Sequence, residues 1–341
     1  MRRELICKVD ASHPDFRIGL SDMPHPLGDH VLVRVLSASV NPIDAKRAHA
    51  YGYRLLGLKG AARPEMVLGN DLAGVVESVG ASATPFTPGQ HVFGLVDTSR
   101  AGGSHASHVM VPSKHLLPAP EGVGAPELAA LPYCFTTVWQ SLCGAGLTAD
   151  NAAGKRVLIN GASGSLGRLA VQILRTWGAE VTGIAGQTQL DAVKALGASQ
   201  VLARGPGVIE ALPAAFDAVL NYGHWNDEFA LADTLGPQAL GQASTVHPLL
   251  GNFDAKGWIG GAWASRLAWR NARRRVRARA PGARYQWVIF KPNSTALLEL
   301  GRLVSSQGLA QPIGQTLPLD RANDAFEHVM SGRPGKAMLL F

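Results

Sequence analysis

Three glycines, Gly161, Gly164 and Gly167, recur at a spacing of three directly behind the apolar run VLI (157–159) and directly before a helical pattern. That frame suits a turn that touches a pyrophosphate. A side chain there would hold the backbone away from the anion, and the amides of the following helix point at it. The helix is supported by Leu166, Leu169, Ala170, Ile173, Leu174 and Trp177, which fall on one face. A glycine triplet alone is a weak signal, and the strand–turn–helix context is what turns it into a nucleotide site. Its candidate contacts are Gly161, Ala162, Ser163, Gly164, Ser165, Leu166 and Gly167.

The next strand reads AEVTGIAG (179–186), and no acid stands at its tip. An acid about 20 residues after the glycines would hold the 2′-hydroxyl of NAD. Its absence removes repulsion against a 2′-phosphate and favours NADPH. Gln187 and Thr188 are candidate donors to that phosphate. Arg204, past the strand QVLA (200–203), either reaches it or stands as a solvated surface arginine. Asn221 and Val246, at later strand ends, complete the candidate cofactor set.

These residues need a scaffold, and the chain supplies two textures. Up to about residue 120, short β segments (30–40, 72–80, 91–96 and 105–112) are broken by turn signals such as Thr87-Pro88-Gly89, which predicts an antiparallel barrel or sandwich. A helical stretch opens at Pro126. From Lys155 onward, strands at 156–161, 179–186, 200–203, 216–223 and 242–246 alternate with helical patterns, which predicts βαβ units and a parallel sheet. A helix over 295–308 and a closing strand, AMLLF, end the chain.

With 341 residues, 17% charged and 46% apolar, the chain has room for about two folded domains. Apolar runs are too short for a membrane span, the N-terminus lacks a signal-like apolar run, and Cys7, Cys134 and Cys143 make no disulfide framework. A cytoplasmic protein is the expectation. The formal charge of +7 is local, because eight arginines and no acid lie between Arg266 and Arg284 and the rest of the chain is one charge negative. No aromatic-stacking or groove-reading module accompanies these arginines, so nucleic acid is not the expected partner.

The glycine turn behind a β-rich half makes the chain resemble the medium-chain dehydrogenase/reductase superfamily. SVNPIDAKRAHAYGY (39–53), the G-x-D-x-x-G-x-V segment within 64–94, the segment 154–186 and the terminal GKAMLLF carry the resemblance. Tyr51-Gly52-Tyr53 after NPID, LPYCFTTVW (131–139) and RYQWVIFKP (284–292) make it similar to the zinc-free quinone oxidoreductase branch, in the manner of the reticulon-interacting mitochondrial reductases. The resemblance implies an α/β fold: a Rossmann-type doubly wound parallel sheet over 125–286, and a GroES-like β-rich catalytic domain from 1–124 and 287–341. A basic insert falls at about 263–286. Dimers are common in the branch, so a homodimer is implied.

A catalytic zinc needs about three protein ligands. The family's first two positions fall on Asn41 and Asn70, and Cys134 alone remains at the third, so no metal is expected. Without a Lewis acid, hydride goes to an acceptor that is already electron-poor: a quinone, or a C=C conjugated to a carbonyl. The resemblance places Asn41 and Thr137 near the nicotinamide, and Tyr51 or Tyr53 as proton donor or oxyanion partner. The same residues also have structural uses: Asn41 before Pro42 shapes a turn, a helical Thr packs, and either tyrosine lines a pocket. Asn221 replaces an aspartate frequent in the branch, and His224 and His247 read as structural.

The expected activity is NADPH-dependent reduction of a lipophilic enone, polyene or quinone. It extends to a reductive or ring-closing step in natural-product biosynthesis of the polyene tetramate type. A generalist quinone or enone detoxifier is one rival, and a non-catalytic NADPH-binding sensor or scaffold is another. The basic insert, with Trp263, Leu267, Trp269 and Val276 among its arginines, reads as a solvated helix, a subunit contact, or a lid or membrane-surface contact for a lipophilic substrate.

Overall fold

The computed structural model describes residues 1–83, 85–97 and 102–341. In chain order it begins with β1 (Arg2–Lys8), β2 (Asp15–Ser21), β3 (His30–Val40), α1 (Pro42–Ala48), α2 (Tyr53–Gly57), β4 (Glu65–Val67), β5 (Asp71–Val79), β6 (His91–Leu95), β7 (His108–Pro112), β8 (Leu116–Pro118) and α3 (Ala125–Ala129). The middle follows with α4 (Pro132–Gly144), β9 (Arg156–Asn160), α5 (Ser165–Thr176), β10 (Glu180–Ala185), α6 (Leu190–Ala195), β11 (Gln200–Ala203), β12 (Ala218–Asn221), α7 (Glu228–Asp233), β13 (Gly241–Ser244), α8 (Leu249–Arg279) and β14 (Arg284–Trp287). The chain closes with α9 (Ser294–Gln307), β15 (Ile313–Pro318), α10 (Ala322–Met330) and β16 (Lys336–Leu340).

Two units result, Met1–Thr136 with Lys291–Phe341, and Thr137–Phe290. The family resemblance implies boundaries at 124/125 and 286/287. The structure moves both. α3 packs on β3 and β5 of the first unit, and Val288 N–H donates to Ser244 O, prolonging the second unit's ladder beyond Trp287. The helical stretch from Pro126 is also split at Ala130–Leu131, because Pro132 cannot continue a helix and opens α4 instead.

The first unit holds a three-stranded sheet, β2-β1-β4, and a seven-stranded one, β15-β16-β3-β5-β6-β8 with β7 on β3. β3 organises the larger sheet. One edge pairs antiparallel with β5; the other pairs with β7 over His30–Arg34 and with β16 over Ser37–Val40. Alternate residues Val31, Val33 and Val35 enter a core with Leu72, Val76 and Val109.

The second unit is one parallel sheet in the order β11-β10-β9-β12-β13-β14. Val157, Leu158 and Ile159 of β9, and Val219 and Leu220 of β12, are fully buried, as continuous apolar runs in central parallel strands must be. The strand order reverses between β9 and β12. In open α/β sheets that reversal opens a ligand crevice beyond the strands' carboxyl ends.

The arginine-rich stretch differs from the expected insert. It is the later part of α8, the crossover from β13 to β14, and its backbone kinks at Gly257 (φ 68°, ψ −166°). Ala272 and Val276 are buried with Leu231, Ala232 and Leu235. The sheet therefore depends on this helix. No helix among the described residues is long and apolar enough to cross a membrane.

Candidate active site

The glycine turn sits at the reversal, between β9 and α5. Gly161 has φ +84°, a conformation that favours glycine, and a Cβ there would meet the Tyr222–Gly223 backbone at 3.0 Å. A Cβ on Gly167 would lie 2.3 Å from Gly161 O and 2.5 Å from Ala162 Cα, so the helix can approach the turn only without one. Gly164 is exposed, caps α5 without a side chain, and a Cβ there would find nothing nearer than 3.5 Å. Ala162 is fully buried, and Ser163, Ser165 and Leu166 are half-buried around the turn. An open backbone cradle at a helix start matches the chemistry of a pyrophosphate. The nicotinamide cofactor fits here.

The remaining cofactor candidates separate. Gln187 and Thr188 are exposed in the short turn after β10. Arg204 donates to Asn160 Oδ1 at 3.1 Å and lies 4.0 Å from Asp227 Oδ2, so its charge already has a partner. Asn221 is buried and fully engaged: its Nδ2 donates to Glu228 Oε2 (2.7 Å) and His224 O (3.0 Å), and its Oδ1 accepts from Asn160 Nδ2 (3.1 Å) and Gly223 N–H (3.1 Å). Val246 lies two residues beyond β13 and is half-buried. His224 precedes the short turn before α7. His247 stacks on Trp287 at 4.8 Å and hydrogen-bonds Val288 O, which is a packing role.

Glu228 ties these strands together and was not anticipated. Buried in α7, it accepts from Gln242 Nε2 (2.8 Å), Tyr285 Oη (2.9 Å) and Asn221 Nδ2. Burial pushes its carboxyl up in spite of those bonds. Nothing in the pattern of α7 singles it out, since an acid in a helix's first turn ordinarily faces water.

In the first unit, Asn41 begins α1 and is completely buried. NPID forms the helix start: Pro42 takes the first position, and Asn41 N–H donates to Asp44 Oδ2 at 2.8 Å. The Asn41 side chain serves a different cluster. Its Nδ2 donates to Asp71 Oδ2 (2.9 Å) and Ser39 Oγ (3.0 Å), and its Oδ1 accepts from Lys336 Nζ at 2.5 Å. Lys336 Nζ also reaches Cys134 Sγ at 3.5 Å, while Ser39 Oγ and Tyr133 N–H donate to Asp71. Register explains the meeting. Val40 pairs with Ala337, which sets Lys336 beside Asn41, and the start of β5 sets Asp71 beside Ser39. Burial pushes the Asp71 carboxyl up, while facing Lys336 pulls it down; burial likewise raises the Cys134 thiol.

Tyr51 and Tyr53 are half-buried on the turn and short helix after α1, with Lys46 Nζ 5.6 Å from the Tyr51 ring centre. Ala50 just before them has φ +60°, and Gly52 has φ +77°. Thr137 is buried in α4, and its carbonyl accepts from Ser141 Oγ at 2.8 Å. Asn41 thus joins the cluster in the first unit, and Thr137 belongs to the second. Lys336 and Asp71 escaped the sequence reading, although GKAMLLF and the G-x-D segment both contain them.

Two family models match: an alcohol dehydrogenase GroES-like domain over residues 28–121, and a zinc-binding dehydrogenase domain over 196–337. The chain is 30% identical over 319 residues to the mitochondrial NAD(P)H oxidoreductase RTN4IP1 of Danio rerio, covering 89% of this chain and 81% of that protein. It is 31% identical over 261 residues to the trans-enoyl reductase pgmF of Aspergillus terreus, covering 71% of each. The fold matches a quinone oxidoreductase structure from Coxiella burnetii with a TM-score of 0.80 at 21% identity, covering 100% of both chains.

The zinc in the second model's description does not suit these residues. Two ligand positions carry the amides of Asn41 and Asn70, and the third, Cys134, shares Lys336 Nζ with Asn41 Oδ1. A cation already stands between them. Among the described residues no three His, Cys, Asp or Glu side chains gather as a metal site. With its doubly wound sheet, glycine cradle and GroES-like domain, the chain belongs to the medium-chain dehydrogenase/reductase superfamily, as an NAD(P)H oxidoreductase.

Proposed function

We propose that this reductase uses NADPH to reduce an electron-poor conjugated acceptor, an enone or polyene C=C or a quinone, without a metal. The observation that carries the reading is Lys336 Nζ between Asn41 Oδ1 and Cys134 Sγ, a donor set unsuited to activating an alcohol through zinc. The trans-enoyl reductase relative supports a conjugated C=C as acceptor. When bound, the cofactor supplies a hydride. The chain's own groups do the rest. The 161–167 turn and the start of α5 hold the pyrophosphate. The lack of an acid after β10 admits a 2′-phosphate. Tyr51 or Tyr53 donates a hydrogen bond or proton to the acceptor's oxygen as negative charge develops there.

The test is loss of reduced-nicotinamide absorbance with a small quinone, a small enone and a conjugated polyene, with NADPH and NADH in parallel. Turnover of the polyene with silence on small acceptors supports a dedicated biosynthetic step. Rapid turnover of small quinones makes the protein a generalist, and tight NADPH binding without turnover makes it a sensor.

We also infer an anionic membrane surface as a partner of α8. Ile259, Trp263 and Leu267 follow one another at i, i+4 and i+8 and are 89%, 68% and 42% exposed. Arg266, Arg270, Arg273, Arg274 and Arg277 flank and continue that stripe. Apolar residues beside arginines suit an interfacial helix on acidic lipid. Cutting out the arginine stretch would remove core residues Ala272 and Val276, so the test uses Ile259→Ser with Trp263→Ser. The variant is expected to lose sedimentation with phosphatidylserine vesicles. Unchanged sedimentation overturns the idea, and a change in oligomeric state instead assigns the stripe to a subunit contact.

A further inference from the structure

We propose that Arg168 is the selector for the cofactor's 2′-phosphate, through a subsite built between the glycine turn and the turn after β10. The inference rests on the NADPH reading above and assigns it to a residue that the glycine spacing does not mark.

Arg168 follows Gly167 in the first turn of α5 and is half-buried. Its Nε donates to Ser163 O at 2.9 Å, and its Nη2 donates to Gln189 Oε1 at 2.7 Å. Ser163 belongs to the pyrophosphate turn. Gln189 ends the short turn Gln187–Gln189 that follows β10. In a doubly wound fold the adenosine ribose rests at the tip of the second strand, close to the pyrophosphate. The guanidinium is therefore held where the ribose 2′ substituent must emerge.

Charge points the same way. Both partners of Arg168 are neutral, and among the described residues no carboxylate lies within ion-pair distance of it. Burial pushes its pKa down and no facing charge restores it. A half-buried cation without an anion is unfavourable, and a phosphate ester there would supply one. Two of its five N–H groups are engaged, both on one side of the fork, so others remain for a phosphate oxygen. Arg204, the arginine that the sequence nominates, contrasts at each point: it bonds Asn160 and faces Asp227. The exposed Gln187 and Thr188 beside the proposed subsite add neutral donors.

The experiment compares binding of 2′,5′-ADP and 5′-AMP to the whole protein by calorimetry, for wild type, Arg168→Gln, Arg168→Lys and Arg204→Gln. Wild type is expected to prefer 2′,5′-ADP. Arg168→Gln should cut that preference by about 10–100-fold, the range for charge-assisted hydrogen bonds, while 5′-AMP affinity holds within about twofold. Arg168→Lys should keep part of it and Arg204→Gln nearly all. An unchanged preference in Arg168→Gln overturns the inference and leaves the NADPH reading standing, as does an equal loss of both ligands. A wild type indifferent to the 2′-phosphate overturns both.

Discussion

In the second unit the candidate cofactor groups are backbone amides of one local stretch, 161–167, backed by the start of α5. In the first unit the polar groups are side chains drawn from across the sequence: Ser39 and Asn41 at the end of β3, Asp71 at the start of β5, Cys134 in α4 and Lys336 at the start of β16. The turn works by what it lacks, since the missing Cβ atoms of Gly161 and Gly167 let backbone approach backbone. The cluster works by mutual satisfaction, since each buried polar atom needs the next. One fails when an atom is added, and the other when an atom is taken away.

Adding an atom should have the largest effect. A Cβ on Gly167 would lie 2.3 Å from Gly161 O, so Gly167→Val must open the turn or push α5 off the sheet. NADPH affinity is expected to fall by about 100-fold or more, equivalent to about 2.7 kcal/mol. Titration of cofactor fluorescence measures it, with circular dichroism as the folding control. A folded Gly167→Val protein that binds within about threefold of wild type would show that the cradle does not depend on close backbone approach.

This contrast also decides what the sequence reveals. Glycine spacing, the strand VLI and the apolar face of α5 are adjacent in the chain, so the strand, turn and helix can be read without a structure. β3 at 30–40 and β11 at 200–203 carry their bounds in their apolar residues. The cluster escapes such reading because Asn41 and Lys336 are 295 positions apart and meet only through the β3–β16 register. Glu228 escapes because its burial is set by β12, β13 and β14 together. The arginine stretch misleads for a related reason. Its charge conceals Ala272 and Val276, small residues whose place in the core only the packing of α8 shows.

Taking an atom away should have the next largest effect, confined to the first unit. Lys336→Met takes the ammonium donor from the buried Asn41 Oδ1, leaving it the longer contact from Cys134 Sγ at 3.7 Å. Such an under-satisfied buried acceptor costs about 1–3 kcal/mol. At about 2–4 °C per kcal/mol, the melting temperature drops correspondingly. NADPH affinity, which we assign to the glycine turn, should stay within about twofold. A loss of cofactor affinity as large as the loss of stability would break the separation between the two assemblies.

The smallest effect concerns Glu228, the one place where the second unit uses the first unit's device of a buried carboxyl held by donors from several strands. Burial raises its pKa although Asn221, Gln242 and Tyr285 all donate to it. The native chain therefore keeps a proton over the interval between the ordinary carboxylic-acid pKa and the raised one, whereas the unfolded chain releases it. Stability must fall as pH rises through that interval, by at most about 1.4 kcal/mol per pH unit for one proton. Glu228→Gln carries no such proton, so its melting temperature should decline less steeply over the same interval, even if the amide fits its three donors less well and melts lower throughout. The difference between the two melting curves, followed from about pH 4 to pH 8, isolates Glu228 from every other titrating group. Parallel curves would mean that the three donors already offset the burial of the charge, leaving this bridge as indifferent to pH as the uncharged glycine turn beside it.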